Sequence, residues 1–324
     1  MTCQVERNVK TYWLAARPYS LTASVVPVLL GAALAKLLLS GLALDGTFWL
    51  HFALVMVGCL AVQIVSNLVN DLVDFKTGLD TAKSSTRFKA LVTGALTWRQ
   101  MFGFTLLMCG VSGAIGLYFI WLVRGPLIWI VVAGGILAIE YTAPPLKLKY
   151  RALGDLGVLL CFGLGMLFGT YFVLGHGQPD SLSPRNLLAV LLYALPSASL
   201  VVAILHANNH RDRASDIDAG AHTLANTLGF GASKALLVGL LVGPYAFAAA
   251  ASIFGLLLFG PISLCGLAVF LTLPPLVKLL QPIKADRYEA TVPAVAKLHG
   301  RFGIVLTLAV IAQILLSHGR APGA

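Results

Sequence analysis

Apolar residues in this chain come in long unbroken runs, separated by short polar breaks, with none of the period-two alternation of half-buried strands. A helix needs roughly 20 mostly apolar residues to cross a bilayer core. Nine such runs can be placed, near residues 20–39, 47–69, 101–122, 126–141, 153–174, 186–206, 233–253, 256–280 and 300–317. The pattern predicts an all-α integral membrane protein of about nine transmembrane helices, forming one domain over residues 1–324. The first run is too long for a cleavable secretory leader and no clear small-residue cleavage site follows it, so it is expected to remain as the first helix.

Composition agrees: 58% of residues are hydrophobic, 11% are charged, and the mean hydropathy is +0.86. The net charge of +10 would suit nucleic acid, but its distribution argues for topology. With nine spans and the N-terminus inside, 19 Lys and Arg residues fall on the cytoplasmic side and four, Lys36, Arg124, Arg185 and Arg320, on the other. That is the positive-inside asymmetry, and it excludes a nucleic-acid partner as the reason for the charge. The five cysteines are scattered without a CxxC pair, which predicts inert thiols.

Two polar stretches interrupt the pattern where hydrocarbon should meet water. One is Ser66-Asn67-Leu68-Val69-Asn70-Asp71-Leu72-Val73-Asp74, continuing to Asp80; the other is Asn208-Asn209-His210-Arg211-Asp212, continuing to Asp216 and Asp218. Six of the 13 acidic residues lie in them. Asn70 and Asp74 are four apart, as are Asn208 and Asp212, with Asp216 one turn further on, and residues so spaced share a helix face. An offset of 138 maps Asn70, Asp74 and Asp80 onto Asn208, Asp212 and Asp218, hinting at two related helical halves.

Carboxylate and amide oxygens are hard ligands suited to Mg²⁺, which binds through a few carboxylates together with substrate phosphates. Two such faces at one membrane depth can hold ions bridging a diphosphate, with Mg²⁺ as cofactor. A diphosphate clamped at a membrane interface before an apolar cavity describes a prenyl diphosphate. His206 and His210, also four apart, raise zinc as a rival but lack a third ligand. Solvated helix ends would explain one acidic run more easily than two of matching spacing. A divalent-cation or metabolite transporter is the rival of another class, although its acids would be expected near the midplane. No GxxxxGK[ST], GxSxG or HExxH occurs.

Several cations flank these motifs. Arg17, in Trp13-Leu14-Ala15-Ala16-Arg17-Pro18-Tyr19, is either an interfacial anchor or an anion contact; Trp13 and Tyr19 read at least as well as anchors. In the basic loop after the first motif, Lys76 and Lys89 read as solvated positive charge, and Arg87 equally as topology or a phosphate contact. Among Lys147, Lys149 and Arg151, the outer two read as topology.

The two motifs, with Gly220-x-x-Thr223-Leu224-Ala225 after the second, resemble the aspartate-rich motifs of the UbiA-type intramembrane prenyltransferases. Together with Leu148-Lys149-Tyr150-x-x-Leu153-Gly154-Asp155 they are most similar to the 1,4-dihydroxy-2-naphthoate polyprenyltransferases of menaquinone biosynthesis and their vertebrate relatives. The resemblance runs from Arg17-Pro18 to about Gly229. It implies nine helices around a central cavity, cytoplasmic active-site loops, and a bacterial inner or cell membrane. It also implies that Asn70, Asp74, Asp80, Asn208, Asp212 and Asp216 bind Mg²⁺-diphosphate with help from Asp71, and that Arg87 and Lys149 contact the diphosphate. The implied reaction moves a polyprenyl group from its diphosphate to an aromatic acceptor, most simply 1,4-dihydroxy-2-naphthoate, giving a demethylmenaquinone, CO₂ and diphosphate. Homogentisate-type or 4-hydroxybenzoate-type rings are the alternative acceptors. The chain departs from the pattern at Tyr141-Thr142-Ala143-Pro144-Pro145, where some members read Tyr-Thr-Gly-Gly, and at His210, a variable slot.

Overall fold

In the computed structural model residues 9–78, 89–218, 220–259 and 261–318 are described, the side chains of 254–266 excepted, and every regular element among them is helical. A short helix α1 (Val9–Ala15) leads through a 3-10 turn at Pro18–Leu21 into α2 (Thr22–Leu38). Next come α3 (Gly46–Thr77), α4 (Trp98–Val123) and α5 (Pro126–Glu140). The ends of these helices follow local chemistry. Asp45 caps α3 by accepting the Phe48 N–H at 2.9 Å, and Gly78, at a φ of 75°, stops it in a conformation that favours glycine. Thr97 and Gln100 form a reciprocal capping box at the start of α4.

After a turn at Leu148–Arg151, α6 (Gly154–Val158), a π-helical segment (Leu159–Gly165) and α7 (Met166–Leu174) run on as one span. The second half holds α8 (Pro184–Arg211), the short α9 (Arg213–Asp218), α10 (Leu224–Phe259), a 3-10 stretch (Pro261–Thr272), α11 (Leu273–Lys284) and α12 (Thr291–His318).

Eight helices among the described residues are long and apolar enough to cross a membrane. The ninth expected span, α5, is apolar but only 15 residues, about 22 Å of helix against a core of about 30 Å. The expected run 256–280 is also built differently: a 3-10 stretch precedes α11, whose first turn takes Pro274 and Pro275.

The main core joins α2, α7, α8, α10, α11 and α12. Helix α2 is among the three most enclosed spans, with the 154–174 span and α8. Gly31 lets it approach α7, where an added Cβ would lie 2.7 Å from the Leu167 carbonyl oxygen, and a Cβ at Gly303 of α12 would overlap Val26. By contrast α4 stands at the rim, with only 6% of its apolar window buried. The bundle thus has a polar-tolerant centre and a lipid-facing edge.

Candidate functional site

In the last three turns of α3, Asn67, Asn70, Asp71 and Asp74 are all buried. Buried polar groups demand partners, and these find theirs in distant segments. Asn67 Nδ2 donates to the Ala16 carbonyl oxygen at 3.1 Å and to Ser20 Oγ at 3.0 Å, tying the N-terminal segment to α3. Between them Arg17, at a φ of 57°, donates to Asn70 Oδ1 at 3.0 Å and forms an ion pair with Asp71. Lys89 Nζ also donates to Asp71 Oδ1, at 2.9 Å. Asn70 Nδ2 donates to Thr142 Oγ1 at 3.1 Å. Lys149 Nζ reaches both oxygens of Asp74, at 2.9 and 3.2 Å, and the Tyr150 hydroxyl donates to Asp74 at 3.4 Å.

Burial opposes the charges of Arg17 and Lys149, yet both are raised above their ordinary values, Arg17 by Asp71 and Lys149 by Asp74 and Asp216. These cations are therefore fully charged partners of the first motif.

The second motif is paired locally. Arg211 grips both Asp212 oxygens at 2.7 Å and Asn208 Oδ1 at 2.9 Å. Asp216, carried one turn further by α9, is buried, and its carboxylate accepts no hydrogen bond among the described residues. Burial first, and then the neighbouring Asp212 and Asp74 charges, push it up to about 7 against the pull of Lys149. Lys149 thus feels Asp74 of one motif and Asp216 of the other.

A cavity of about 110 Å³ lies between the motifs, lined by Arg17, Tyr19, Asn70, Lys149 and Asn208, with Phe162 among its apolar walls. Asp74, Asp212 and Asp216 stand outside this lining. A larger apolar cavity of about 610 Å³ lies among α3, α4, α5 and the 154–174 span. The two meet back to back in the π-helical segment, where Phe162 faces the polar cavity and Cys161 the apolar one.

Of the residues singled out from sequence, Arg17, Asn70 and Asp71 form one contact network, Asp74 with Lys149 a second, and Asn208 with Asp212, through Arg211, a third. Asp80 and Arg87 lie outside the described residues. Lys89 corrects its reading as solvated charge: it is buried and ion-paired, because Asp71 needs a second cation at that depth. Lys76, Lys147 and Arg151 are exposed. Tyr19, read as an anchor, lines the cavity, whereas Trp13 is exposed. Sequence reasoning missed Thr142 and Tyr150, although both flank Lys149.

It also missed a buried chain behind the second motif. His206 Nδ1 lies 2.7 Å from Asp155 Oδ1, and its Nε2 lies 3.1 Å from Ser233 Oγ, which is 2.7 Å from His210 Nδ1. Both histidines are thus tied to oxygen partners by hydrogen bonds, which disfavours zinc. His206 lies two residues, or about 200°, around α8 from Asn208, so this chain fastens the reverse face of the helix that carries the motif.

Among the described residues, no three His, Cys, Asp or Glu side chains converge closely enough to hold an ion as they stand, since cations occupy Asp71, Asp74 and Asp212. The donor set still fits a hard divalent cation, because the buried Asp216 carboxyl, which feels the charges of Asp74 and Asp212, accepts no hydrogen bond among the described residues.

Fold and site together define a polytopic helical membrane protein with a polar cavity at one end of its bundle. The chain belongs to the UbiA prenyltransferase family, whose model matches residues 24–316. It is 34% identical to UbiA prenyltransferase domain-containing protein 1 of Dictyostelium discoideum over 72% of this chain and 68% of that one. It is 28% identical to the 1,4-dihydroxy-2-naphthoate octaprenyltransferase of Bacillus subtilis over 95% and 94%. Its fold is that of a UbiA homologue from Archaeoglobus fulgidus solved with GPP and Mg²⁺, with a TM-score of 0.64 at 16% identity, covering 94% of this chain and 99% of that one.

Proposed function

We propose that this prenyltransferase is a Mg²⁺-dependent enzyme that transfers a polyprenyl group from its diphosphate to 1,4-dihydroxy-2-naphthoate. The carrying observation is Lys149, which lines a cavity shared by Asn70 and Asn208 while coupled to carboxylates of both motifs. The Bacillus subtilis relative, matched almost end to end, supports the acceptor. The Archaeoglobus fulgidus homologue with GPP and Mg²⁺ supports the donor and the metal.

In this reading Asn70, Asp74, Asp80, Asn208, Asp212 and Asp216 hold Mg²⁺. Bound there, the metal supplies Lewis acidity to the departing diphosphate. The protein's own part is an exchange of partners. In the resting site Lys149 neutralises Asp74, Arg17 neutralises Asp71 and Arg211 neutralises Asp212. Asp74 and Asp212 would be the carboxylates that hold the metal, and Lys149 and Arg17, with Arg87, the cations that would meet the phosphate oxygens. At rest these three pairs spare Asp71, Asp74 and Asp212 the cost of a lone ion at low dielectric.

The prenyl C1–oxygen bond breaks with its electron pair leaving on diphosphate. The ring carbon bearing the acceptor carboxylate bonds to C1, and that carboxylate departs as CO₂, leaving the quinol of a demethylmenaquinone. Val158, Phe162, Val201 and Ile204 form the apolar wall that keeps water from the allylic centre. We place the motif-bearing end and the N-terminus on the cytoplasmic side of the membrane, a reading supported by the 19-to-4 split of basic residues counted for nine spans.

The test is purified protein in lipid vesicles with labelled geranylgeranyl diphosphate and a panel of aromatic acceptors, with Mg²⁺ or EDTA. Metal-dependent product with 1,4-dihydroxy-2-naphthoate alone is expected. Product with a homogentisate-type or 4-hydroxybenzoate-type ring instead would overturn the acceptor, and diphosphate-independent cation flux would overturn the class.

A further inference from the structure

A second charged concavity lies on the outside of the bundle. A groove of about 550 Å³ between α11 and α12 is lined by Lys278, Arg287, Lys297 and Arg301, with Glu289 the one acid among its walls. All four cations are exposed, and none has a carboxylate within ion-pair distance among the described residues. This sets them apart from Arg17, Lys89 and Lys149, each of which is paired. The groove sits at the same end of the molecule as the polar cavity, since the Tyr288 ring lies 4.6 Å from His210 and Val292 lines that cavity.

Depth makes these charges unusual. Lys297 and Arg301 lie six and ten residues past Thr291, the first residue of α12, which is about 9 and 15 Å along the helix. They head an outward stripe that continues as Ile304, Leu308, Ile311 and Leu315, all exposed and at helical spacing. A cation at the top of a lipid-facing stripe needs an anion from the lipid side, because ionisable groups at that depth are costly alone. The floor of the groove is apolar, with Leu279, Pro282 and Leu298. A soluble anion would leave this floor and the stripe uncovered, whereas one lipid molecule covers both.

We propose that the groove between α11 and α12 binds the phosphodiester headgroup of an anionic phospholipid, whose acyl chains lie along the apolar stripe of α12. Basic pockets between spanning helices suit such headgroups electrostatically. The site stands apart from the diphosphate cavity and does not depend on the acceptor.

The experiment is native mass spectrometry of the full chain, released from neutral detergent with equal phosphatidylglycerol and phosphatidylcholine. Phosphatidylglycerol adducts should exceed phosphatidylcholine adducts about tenfold, and the excess should vanish in Lys297→Ala/Arg301→Ala. It should persist in the charge-matched Lys10→Ala/Lys284→Ala, which alters exposed cations outside the groove. Lys297→Arg/Arg301→Lys keeps the charges and should keep the preference, which separates headgroup binding from a folding defect. Equal retention of the two lipids, or equal loss in the control pair, would overturn the proposal. Displacement of phosphatidylglycerol by millimolar inorganic pyrophosphate would overturn it in favour of a soluble-anion site.

Discussion

At the end of α3, Asn70 and Asp71 are held by Arg17, 53 and 54 residues away, and Asp74 by Lys149, 75 residues away. At the end of α8, Asp212 and Asn208 are both held by Arg211, one and three residues away. The first motif is thus assembled by tertiary packing, and the second largely by its own helix end. Their electrostatics differ as well. Each described carboxylate of the first motif has a buried cation against it, whereas Asp216 of the second has none within ion-pair distance among the described residues and feels Lys149 and Arg211 only from further off. The lesson is that one motif is balanced at rest and the other is poised for an incoming positive charge.

The comparison breaks most readily at Asp74. Asp74→Ala should lower prenyl transfer at least about 100-fold, measured on vesicle-inserted protein, because it removes a proposed metal ligand and leaves Lys149 without its partner. Transfer within a few-fold of wild type would remove the first motif from the chemistry. Next is Lys89→Met, which leaves Asp71 with one cation fewer in a buried setting. Breaking a buried pair costs about 3–5 kcal/mol, so the melting temperature in detergent should fall clearly, and Lys89→Met/Asp71→Asn should recover much of it. No recovery would mean that Lys89 acts by packing alone.

His206→Phe should cost about 1–3 kcal/mol by stranding Asp155, read as a lower melting temperature. If α8 is fastened from behind as described, it should also raise the KM for prenyl diphosphate. A change in stability with no change in KM would make the network purely structural.

The smallest effect is a pH slope. Asp216 is raised from 3.8 to about 7, so its contribution to folding is complete below 3.8 and is lost as pH rises towards 7. The metal-free protein should therefore lose melting temperature over that window, and Asp216→Asn should flatten the loss. If Asp216 holds Mg²⁺ as proposed, the metal displaces the same proton, and its apparent affinity with pyrophosphate should fall up to about tenfold per pH unit below 7. A calorimetric titration that is flat from pH 5 to 7 would place Asp216 away from the metal.

What was legible in the sequence followed from short-range rules. Apolar run length marked the eight long spans and also the shorter apolar helix α5, whose 15 residues match the expected run 126–141 almost to its ends. The four-residue spacing put Asn70 with Asp74 and Asn208 with Asp212 on common faces, since helix geometry alone sets that. Lys149 was singled out through its motif, yet nothing in a basic loop distinguishes it from Lys147 until Asp74 is brought against it.

The chain by itself determined that it lies in a membrane, how its helices divide, and which oxygens face together, because hydrophobic length and helical period are written residue by residue. Only the tertiary structure decided which cation meets which carboxylate: why Lys89 is buried while Lys76 is not, why Asp155 reaches His206, and why Asp216 has no ion pair among the described residues. Those pairings join residues far apart in the chain, and their energies depend on burial that does not exist until the bundle has packed.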